Sequence, residues 1–402
     1  MSKKKVLIVN KFLYPRGGDC IVALTEAELL RSAGHEVEMW GMDYPENLPM
    51  SMTDIFAPQV KFDGSLPEKL KAVMRMMGFG DIRSSFSRVL ARFRPDVVHF
   101  HNIHSYLSPV IVGMAKKAGA RTLWTMHDYK LICPAYTCMD SSGCVCTSCV
   151  KRPGTVLEKR CMKGSRLQSA AAYVEARRWN LSRLSAMTDR FICPGQFMAA
   201  RLRESGVPEE KLIVVNNFLD REKVARIREL PVGSKRDSRR ILYVGRLSAE
   251  KGIEPMIREF MAMPDDFTLR IVGSGPEEEK LRGICRGDSR IEFCGWKSSA
   301  DVMKEMVSAA VFVCPSIWFE NKTISVMEAL ACGTPVLVSD VGSLPDMVAA
   351  SNGMTYNPNR RGEFANVLRA ISQRSFDHQA ISSQALGAYS SDAHLKLLET
   401  LF

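Results

Sequence analysis

One stretch decides the fold of this chain, Val311–Met347, which reads VFVCPSIWFENKTISVMEALACGTPVLVSDVGSLPDM. Two apolar runs, Val311–Val313 and Pro335–Val338, enclose a loop that holds Glu320 and a helix that begins near Thr323. The order is strand, loop, helix, strand, which is the repeating unit of parallel sheets. The stretch therefore predicts an α/β fold.

Two carboxylates in this stretch, Glu320 and Glu328, are separated by seven residues. The first precedes the helix and the second lies on it, so they cannot form a side-by-side acid/base pair. They flank a helix N-terminus, where unpaired N–H groups are expected at Ile324, Ser325 and Val326 and favour a phosphate. A nucleotide sugar has a phosphate in the middle and hydroxyls at both ends. Solvated glutamates around an ordinary crossover are the alternative.

At these residues the chain resembles the retaining glycosyltransferases of family 4, which have the two-domain GT-B fold. The shared pattern is a glutamate, seven residues, a second glutamate, an Ala-rich helix end and Gly-x-Pro-Val, here within Glu320–Gly342. The resemblance implies two Rossmann-like domains that face each other across a cleft. It also implies that a hexose-type sugar moves from a nucleotide-diphosphate donor, UDP-, GDP- or ADP-linked, to a glycan or lipid-linked acceptor in cell-surface polysaccharide synthesis.

The resemblance implies roles for individual residues of this stretch. Glu320 would accept hydrogen bonds from the sugar hydroxyls and act in catalysis, and Glu328 would accept them from the ribose. The chain departs from the family where Asn321, Lys322 and Thr323 replace Gly or Pro. These three residues, with Ile324 and Glu328, are expected to bind the donor.

Length and composition suit two domains and a cytoplasmic protein. The chain has 402 residues, 46% of them hydrophobic and 25% charged, which is too long for one ordinary core. The N-terminal MSKKKVLIVNKF predicts a strand where a signal peptide would need a longer apolar segment. No apolar run reaches the roughly 18 residues of a membrane span.

The net charge of +11, with a sequence pI of about 9.1, favours anionic partners. Cationic and apolar residues alternate at helical spacing in Leu66–Met77 and Arg83–Arg94. Such helices could rest on an anionic membrane surface, which predicts a peripheral protein on the inner face of the plasma membrane. Ordinary packing against the first domain is the alternative.

The first domain opens with a strand at Lys5–Asn10, a glycine-bearing turn and a helix at Ile21–Ala33. Gly17 and Gly18 would let the backbone approach the donor closely, although the spacing is not a dinucleotide fingerprint and a tight turn without a ligand is the alternative.

Histidines follow the next two predicted strands, Asp96–Phe100 and Thr122–Thr125. Ligands bind outside the carboxyl ends of strands in open α/β sheets, so His101 and Asn102 are better placed than His99. The second strand ends in MHDYKLICP, which again resembles the family, where this histidine lies at the donor sugar. The resemblance implies a catalytic role for His127, and Asp128 joins His101 and Asn102 as expected acceptor-side residues.

Cysteines concentrate in a predicted insertion at 133–161 of the first domain. A reducing cytoplasm favours thiols or a metal over disulfides. Cys146 and Cys149 have the two-residue gap of a zinc knuckle, and Cys161 follows twelve positions later. The insertion resembles one found in a subset of the family. Structural zinc, free thiols and disulfides stay open, as does the fourth zinc ligand.

The domain boundary is predicted from composition. Residues 1–219 form the acceptor-side domain, and 220–238 are polar and basic with Pro231 and Gly233, which is typical of a linker. Residues 239–385 form the nucleotide-sugar domain, and 386–402 are expected to return to the first domain as a helix. Residues 167–186 predict one long helix that contains Trp179.

Two cations follow the first strand of the second domain, Arg246 after Gly245 and Lys251 before Gly252. The turn resembles the one with which the family grips the diphosphate, so both are expected catalytic residues that stabilise the departing charge. Gly245 and Gly273, each at a strand end, are expected to bind the donor. Because these cations supply positive charge, we expect no catalytic metal or other cofactor.

Two other functions were weighed. A nucleotide-sugar epimerase of the same fold would require several ionisable residues that converge on the sugar. A nucleic-acid-binding protein could use the cysteines as a zinc knuckle, but it would cluster aromatic residues with the cations, and this sequence does not. We therefore expect no nucleic-acid partner.

Overall fold

The computed structural model describes residues 2–234, 236–264 and 266–402. They form two compact units. Unit 1 contains the chain up to Asn216 together with His394–Phe402, and unit 2 contains Asn217–Ala393.

Both units alternate strands with helices. The strands of unit 1 are β1 (Lys5–Val9), β2 (Glu36–Trp40), β3 (Val97–Phe100), β4 (Arg121–Thr125), β5 (Arg190–Cys193) and β6 (Leu212–Val214). Its helices are α1 (Gly18–Ser32), α2 (Leu66–Met76), α3 (Asp81–Phe93), α4 (Val110–Lys117), α5 (Thr155–Glu158), α6 (Arg166–Arg178), α7 (Leu181–Met187) and α8 (Gln196–Glu204).

Unit 2 repeats the same alternation. Its strands are β7 (Asp237–Val244), β8 (Thr268–Val272), β9 (Ile291–Gly295), β10 (Ala309–Cys314), β11 (Val336–Ser339) and β12 (Gly353–Tyr356). Its helices are α9 (Arg221–Glu229), α10 (Ile253–Met261), α11 (Glu278–Ile284), α12 (Ser299–Ser308), α13 (Ile324–Ala331), α14 (Glu363–Ser372) and α15 (His378–Ala388). The last helix, α16 (Ser391–Glu399), begins in unit 2 and continues into the His394–Phe402 segment of unit 1.

Each unit has one parallel six-stranded sheet, in the order β2-β1-β3-β4-β5-β6 and β12-β11-β10-β7-β8-β9. In each sheet the strand order reverses once, between β1 and β3 in unit 1 and between β7 and β10 in unit 2. Open α/β sheets bind ligands outside the carboxyl ends of strands at such a switch point. The predicted α/β fold is confirmed.

Inner strands such as β3 and β11 are buried along their whole length, which explains their near-continuous hydrophobic runs. In unit 2, Leu242 and Phe312 pack into one apolar cluster, whereas Ile241 and Val311 pack into another on the opposite face of the sheet. The alternation of neighbouring side chains between the two clusters sets the register of β7 against β10, where Ile241 pairs with Val311.

One prediction about helices was wrong, and a segment assigned to a linker contains a helix. The segment 220–238 contains α9, whose N-cap Asp220 accepts a hydrogen bond from the Lys223 N–H (2.7 Å), so its polar composition reflects a solvent-facing helix. The predicted helix at 167–186 breaks at Trp179. The indole of Trp179 donates to the Met76 carbonyl (2.8 Å), and the Asn180 side chain then caps α7.

Helix α2 keeps an apolar stripe in solvent. Leu66 is 80% exposed, and Leu70 (63%), Met74 (46%) and Val73 (37%) are exposed to a smaller extent. In the ranges that the structure describes, no helix has both the length and the apolar character needed to cross a bilayer.

Candidate functional site

Glu320 and Lys251 form a buried ion pair at the switch point of unit 2. Glu320 follows β10 and Lys251 follows β7, and Lys251 Nζ lies 2.6 Å from Glu320 Oε1. The Ser316 hydroxyl donates to the same oxygen (2.7 Å). Since Glu320 is only 7% exposed, this pair compensates a carboxylate that could not be buried alone.

The surroundings of Lys251 keep it charged. Burial alone would lower the pKa of Lys251, but the Glu320 carboxylate outweighs it and raises that pKa. The ammonium also lies 5.2 Å from the centre of the Trp318 ring, within the range of a cation–π contact. A fixed positive charge therefore stands at the carboxyl ends of β7 and β10.

Two glycines let the backbone close around this pair. Gly252 has φ +65°, and a Cβ there would lie 2.0 Å from the Pro315 carbonyl oxygen. Gly342 has φ +66°, and a Cβ there would lie 2.6 Å from the backbone nitrogen of Glu320. A side chain at Gly342 would push Glu320 away from Lys251, so the loop after β11 sets the position of the glutamate.

Arg246 lies at the same strand ends but is exposed. It makes no ion pair with any residue in the described ranges, and the Tyr243 hydroxyl donates to its carbonyl (3.0 Å). Gly245 and Gly273 pack backbone to backbone, since a Cβ at Gly273 would lie 2.0 Å from the Gly245 carbonyl oxygen. The guanidinium is thus available to an anion.

Helix α13 begins at Ile324 after the N-cap Thr323, which makes no side-chain cap. The expectation that Val326 has an unpaired N–H was wrong, because this group donates to the Thr323 carbonyl (3.2 Å). The Asn217 amide donates to the Lys322 carbonyl (3.0 Å), and burial lowers the pKa of Lys322. Asn321 lies half-buried in the same loop.

Glu328, one turn into α13, is paired with a residue that the sequence argument left out. Lys223 Nζ on α9 lies 2.7 Å from Glu328 Oε1. Lys223 was overlooked because the segment around it was assigned to a linker. The sequence feature that could have revealed the helix that carries Lys223 is Asp220, an N-cap residue before a helical run.

Unit 1 places two histidines in contact at the carboxyl ends of β3 and β4, next to its own switch point. His101 follows β3 and His127 follows β4, and His101 Nδ1 lies 2.9 Å from His127 Nε2. Burial, followed by the effect of His101, lowers the pKa of His127 to about 3. His127 is therefore a neutral imidazole at neutral pH.

The loop after β1 meets the end of β3 through hydrogen bonds. Asn102 donates its backbone N–H to Asn10 Oδ1 (3.0 Å) and its side-chain amide to Asp19 Oδ2 (2.9 Å). Gly17 precedes α1 in an extended conformation, and a Cβ at Gly18 would meet no described atom within 4 Å. The space next to Gly18 is open.

Asp128 stabilises the turn after β4. Its carboxylate accepts a hydrogen bond from the Lys130 N–H (2.9 Å), and burial raises its pKa. Glu26, which the sequence argument missed, lies behind the histidines, within reach of both His99 and His101. Its signal was a carboxylate on the face of α1 that otherwise carries buried apolar side chains.

Potential metal ligands were compared across the described ranges. Glu26, His99 and His101 place three ligand atoms within 4.8 Å of one another, and no other group of three or more does so. The twelve cysteines, all within these ranges, form no disulfide. Zinc at Cys146, Cys149 and Cys161 stays a prediction.

Comparisons with known proteins show which family this chain belongs to. The profile described as Glycosyltransferase Family 4 matches residues 17–223, just over half of the chain, and the profile described as Glycosyl transferases group 1 matches residues 238–374. The chain belongs to glycosyltransferase family 4. The predicted family is confirmed.

Among the relatives of this family 4 glycosyltransferase are two that share about a third of its aligned residues. An uncharacterized glycosyltransferase of Methanocaldococcus jannaschii is 32% identical over 45% of this chain and 50% of its own. WcaL of Escherichia coli, named for colanic acid biosynthesis, is 30% identical over 45% and 47%. The chain spans about half the length of these relatives.

A longer match and the solved structures support the same fold. A GDP-mannose-dependent alpha-mannosyltransferase of Mycolicibacterium smegmatis is 25% identical over 85% of this chain and 81% of its own. Sucrose-phosphate synthase of Thermosynechococcus elongatus has a TM-score of 0.69 at 19% identity, over 99% and 98% of the two chains. HepE of Anabaena with UDP and glucose has a TM-score of 0.60 at 17% identity, over 99% of each chain. These similarities confirm the GT-B fold of the glycosyltransferase.

Proposed function

We propose that this chain transfers a hexose-type sugar, with retention of configuration, from a nucleotide-diphosphate donor to a glycan or lipid-linked acceptor in cell-surface polysaccharide synthesis. Membership in family 4 supports sugar transfer. The names of two relatives, one for colanic acid biosynthesis and one for GDP-mannose, support this class of donor and acceptor. The donor base is open among uracil, guanine and adenine.

The observation that carries this proposal is the buried Lys251–Glu320 pair beside the exposed Arg246. We assign Arg246 and Lys251 to the diphosphate, because charge-assisted contacts to a departing diphosphate strengthen as its charge develops. Glu320 then accepts hydrogen bonds from the sugar hydroxyls. These roles agree with the geometry, in which the Lys251 ammonium contacts one carboxylate oxygen of Glu320 and both groups are held in place.

The remaining donor contacts follow from the loop and helix after Glu320. Asn321, Lys322 and Thr323 lead to Ile324, the first residue of α13, at a helix end without a side-chain cap. Such an end suits a phosphate oxygen. Glu328 accepts from the ribose, while Gly245 and Gly273 keep the strand ends free of side chains.

In unit 1 we assign His127 to the transferred sugar and His101, Asn102 and Asp128 to the acceptor side. Gly17 and Gly18 give the donor close access to backbone, consistent with the open space beside Gly18. Among the described residues assigned to this site, no pair of side chains divides into an acid and a base. We infer that the leaving phosphate takes the proton of the acceptor hydroxyl as the new glycosidic bond forms and the sugar–phosphate bond breaks.

A thermal-shift panel of UDP-, GDP- and ADP-sugars tests the donor site. One base series should raise the melting temperature of the purified protein, and Glu328→Ala should abolish that shift while the variant keeps its folded circular dichroism. A panel without response, or a response unchanged in Glu328→Ala, contradicts the site. Transfer of radioactive sugar to membrane extracts then tests the acceptor class.

We also propose that α2 binds an anionic membrane surface. The exposed side chains Leu66, Leu70 and Met74 recur every four residues, so they lie on one helix face. The exposed lysines Lys69 and Lys71 lie on the same helix. Apolar insertion combined with cationic contact favours anionic lipid headgroups.

Vesicle sedimentation tests this surface. The protein should bind phosphatidylglycerol vesicles more strongly than phosphatidylcholine vesicles, and Leu70→Glu with Met74→Glu should abolish binding. Trp296→Glu is the matched control, because Trp296 is an exposed apolar residue (77%) of unit 2. Equal binding to both lipids, or unchanged binding by the double variant, contradicts the proposal.

A structural zinc ion in the insertion is a separate proposal. The thiols of Cys133, Cys161 and Cys146 are close enough to Cys149 that, after burial, they raise its pKa to about 12. Zinc would stabilise these thiolates. Elemental analysis should find zinc that Cys149→Ser releases, and a native protein without zinc contradicts this.

A further inference from the structure

Three side chains of metal-ligating types meet in the interior of unit 1. Glu26 lies on α1, His99 on β3 and His101 directly after β3, and all three are buried. His99 Nδ1 lies 2.5 Å and His101 Nε2 3.5 Å from Glu26 Oε1. These three atoms all lie within 4.8 Å of one another. One carboxylate and two imidazoles are a ligand set that zinc and related transition metals use.

The three converging atoms are buried without hydrogen bonds. Within the described ranges, neither Glu26 Oε1, nor His99 Nδ1, nor His101 Nε2 has a hydrogen-bond partner. His99 Nδ1 is close enough to Glu26 Oε1 for a hydrogen bond, but the two groups are not aligned for one. Buried polar atoms are nearly always paired, and an unpaired one requires an explanation such as a bound ion. Three such atoms around one point indicate a single shared partner.

The second polar atom of each of these side chains is held by a neighbour. The contacts are His99 Nε2 with the Thr125 hydroxyl (2.7 Å), His101 Nδ1 with His127 Nε2 (2.9 Å) and Glu26 Oε2 with His394 Nε2 (3.2 Å). Metal ligands are typically oriented in this way, with one atom on the ion and the other on a hydrogen-bond partner. Each side chain therefore presents its one remaining atom to the common centre.

The spacing of the atoms favours an ion over a bridging water molecule. Ligand atoms of a tetrahedral zinc ion, with bonds of about 2.0–2.1 Å, stand about 3.4 Å apart. His101 Nε2 and Glu26 Oε1, at 3.5 Å, match this spacing. His99 Nδ1 would have to move by less than about 1 Å to reach it. Two groups that one water bridges stand about 4.5 Å apart, which is wider than either contact with Glu26 Oε1.

We propose that Glu26, His99 and His101 bind one divalent transition-metal ion, for which zinc is the best match, as a structural site. The ion joins α1 to β3 and balances the charge of a carboxylate that is 1% exposed. The site goes beyond the proposed function and does not depend on it. It belongs to unit 1, whereas the diphosphate contacts assigned above belong to unit 2, so the ion takes no part in binding the diphosphate.

Elemental analysis of protein purified without a chelator or a metal-affinity tag tests the site directly. Cys149→Ser, which lacks a ligand of the proposed cysteine site, should keep about one metal ion per chain, and Glu26→Gln in that background should lose it. Glu399→Gln in the same background is the matched control, since Glu399 Oε1 contacts His35 Nε2 (2.9 Å) in the same unit, and it should keep the ion. Cys149→Ser protein without metal, or unchanged metal after Glu26→Gln, overturns the proposal.

X-ray absorption at the zinc edge identifies the ligands even if Glu26→Gln does not fold. In Cys149→Ser protein the first shell should contain only nitrogen and oxygen, at about 2.0–2.2 Å. Sulfur in that shell would assign the ion to the remaining cysteines and overturn the proposal. The measurement uses no donor or acceptor, so its outcome is independent of whether the chain transfers a sugar.

Thermal unfolding tests whether the ion stabilises unit 1. After dialysis against a chelator and removal of the chelator, added zinc should raise the melting temperature of Cys149→Ser, because an ion that binds only the folded state stabilises it. Glu399→Gln in that background should show the same rise, and Glu26→Gln should show none. Equal rises in the two glutamate variants, or no rise in Cys149→Ser itself, would overturn the structural role of the ion.

Discussion

Lys223 Nζ lies 2.7 Å from Glu328 Oε1, so an ion pair joins α9 to the helix that follows the proposed sugar-binding loop. The pair is mostly shielded, with 21% and 12% of the two side chains exposed. A carboxylate has lone pairs for more than one donor, so Glu328 can keep Lys223 and still accept from a ribose.

Glu328→Gln should therefore weaken donor binding and raise the KM for the donor by roughly 10- to 150-fold, because each hydrogen bond to a charged group contributes about 1.5–3 kcal/mol. Steady-state kinetics measures it. Glu222→Gln is the control, since Glu222 is an exposed carboxylate on α9 that pairs with Arg226. Equal KM values for the two variants would remove Glu328 from the site.

Lys251 and Glu320 should show strong coupling in stability but not in activity. Lys251→Met leaves a buried carboxylate without its partner and should cost about 3–5 kcal/mol of unfolding free energy. The double variant Lys251→Met/Glu320→Gln should regain much of this stability and remain inactive. Urea denaturation and a transfer assay measure both, and additive losses in stability would contradict the buried pair.

Gly342→Ala should abolish activity by displacing the backbone of Glu320. The new Cβ would lie 2.6 Å from the backbone nitrogen and 2.7 Å from the backbone carbonyl oxygen of Glu320. Gly362→Ala is a matched control, since Gly362 also has positive φ (+79°) but a Cβ there meets no described atom within 4 Å. It should cost about 1 kcal/mol of stability and leave activity unchanged. Similar activity losses would show that strain alone, not contact with Glu320, matters.

His104 should make the protein sensitive to mild acid. Its ring nitrogens are buried without a hydrogen-bond partner in the described ranges, and burial holds its pKa well below the ordinary value. The unfolded chain binds a proton at about pH 6.5 and the folded one does not, so stability falls by about 1.4 kcal/mol per pH unit below that value.

His104→Phe removes this group and should reduce the slope of unfolding free energy against pH between about pH 6.5 and 5. The slope is compared rather than the stability itself, because the larger ring also changes packing. Denaturation curves across this range provide it. An unchanged slope in His104→Phe would show that His104 is protonated in the folded protein.

The architecture and much of the candidate site could be predicted from the sequence, because strand ends are visible as apolar runs followed by polar residues. His101 and Arg246 follow β3 and β7 within two residues, Glu320 lies in the loop after β10, and sheet topology brings strand ends together. Partners that come from helices were missed. Glu26 on α1 lies near His101, and Lys223 on α9 pairs with Glu328 on α13. Such contacts depend on how the helices pack.

The helix break at Trp179 was also beyond the sequence pattern. The apolar spacing continues through it, and only the contact between the Trp179 indole and the Met76 carbonyl shows why the chain turns. Tertiary hydrogen bonds of this kind override local propensity.

Binding of UDP, GDP and ADP to the purified protein in EDTA, measured by isothermal titration calorimetry, tests the central claim most directly. The account predicts that one of them binds without a divalent metal and that Arg246→Met weakens it about tenfold or more, as the loss of a charge-assisted contact should. Arg239→Met, in which the exposed Arg239 on β7 loses only its contact with Asp266, should bind normally. No binding until magnesium is added, or equal affinity in the two arginine variants, would contradict it.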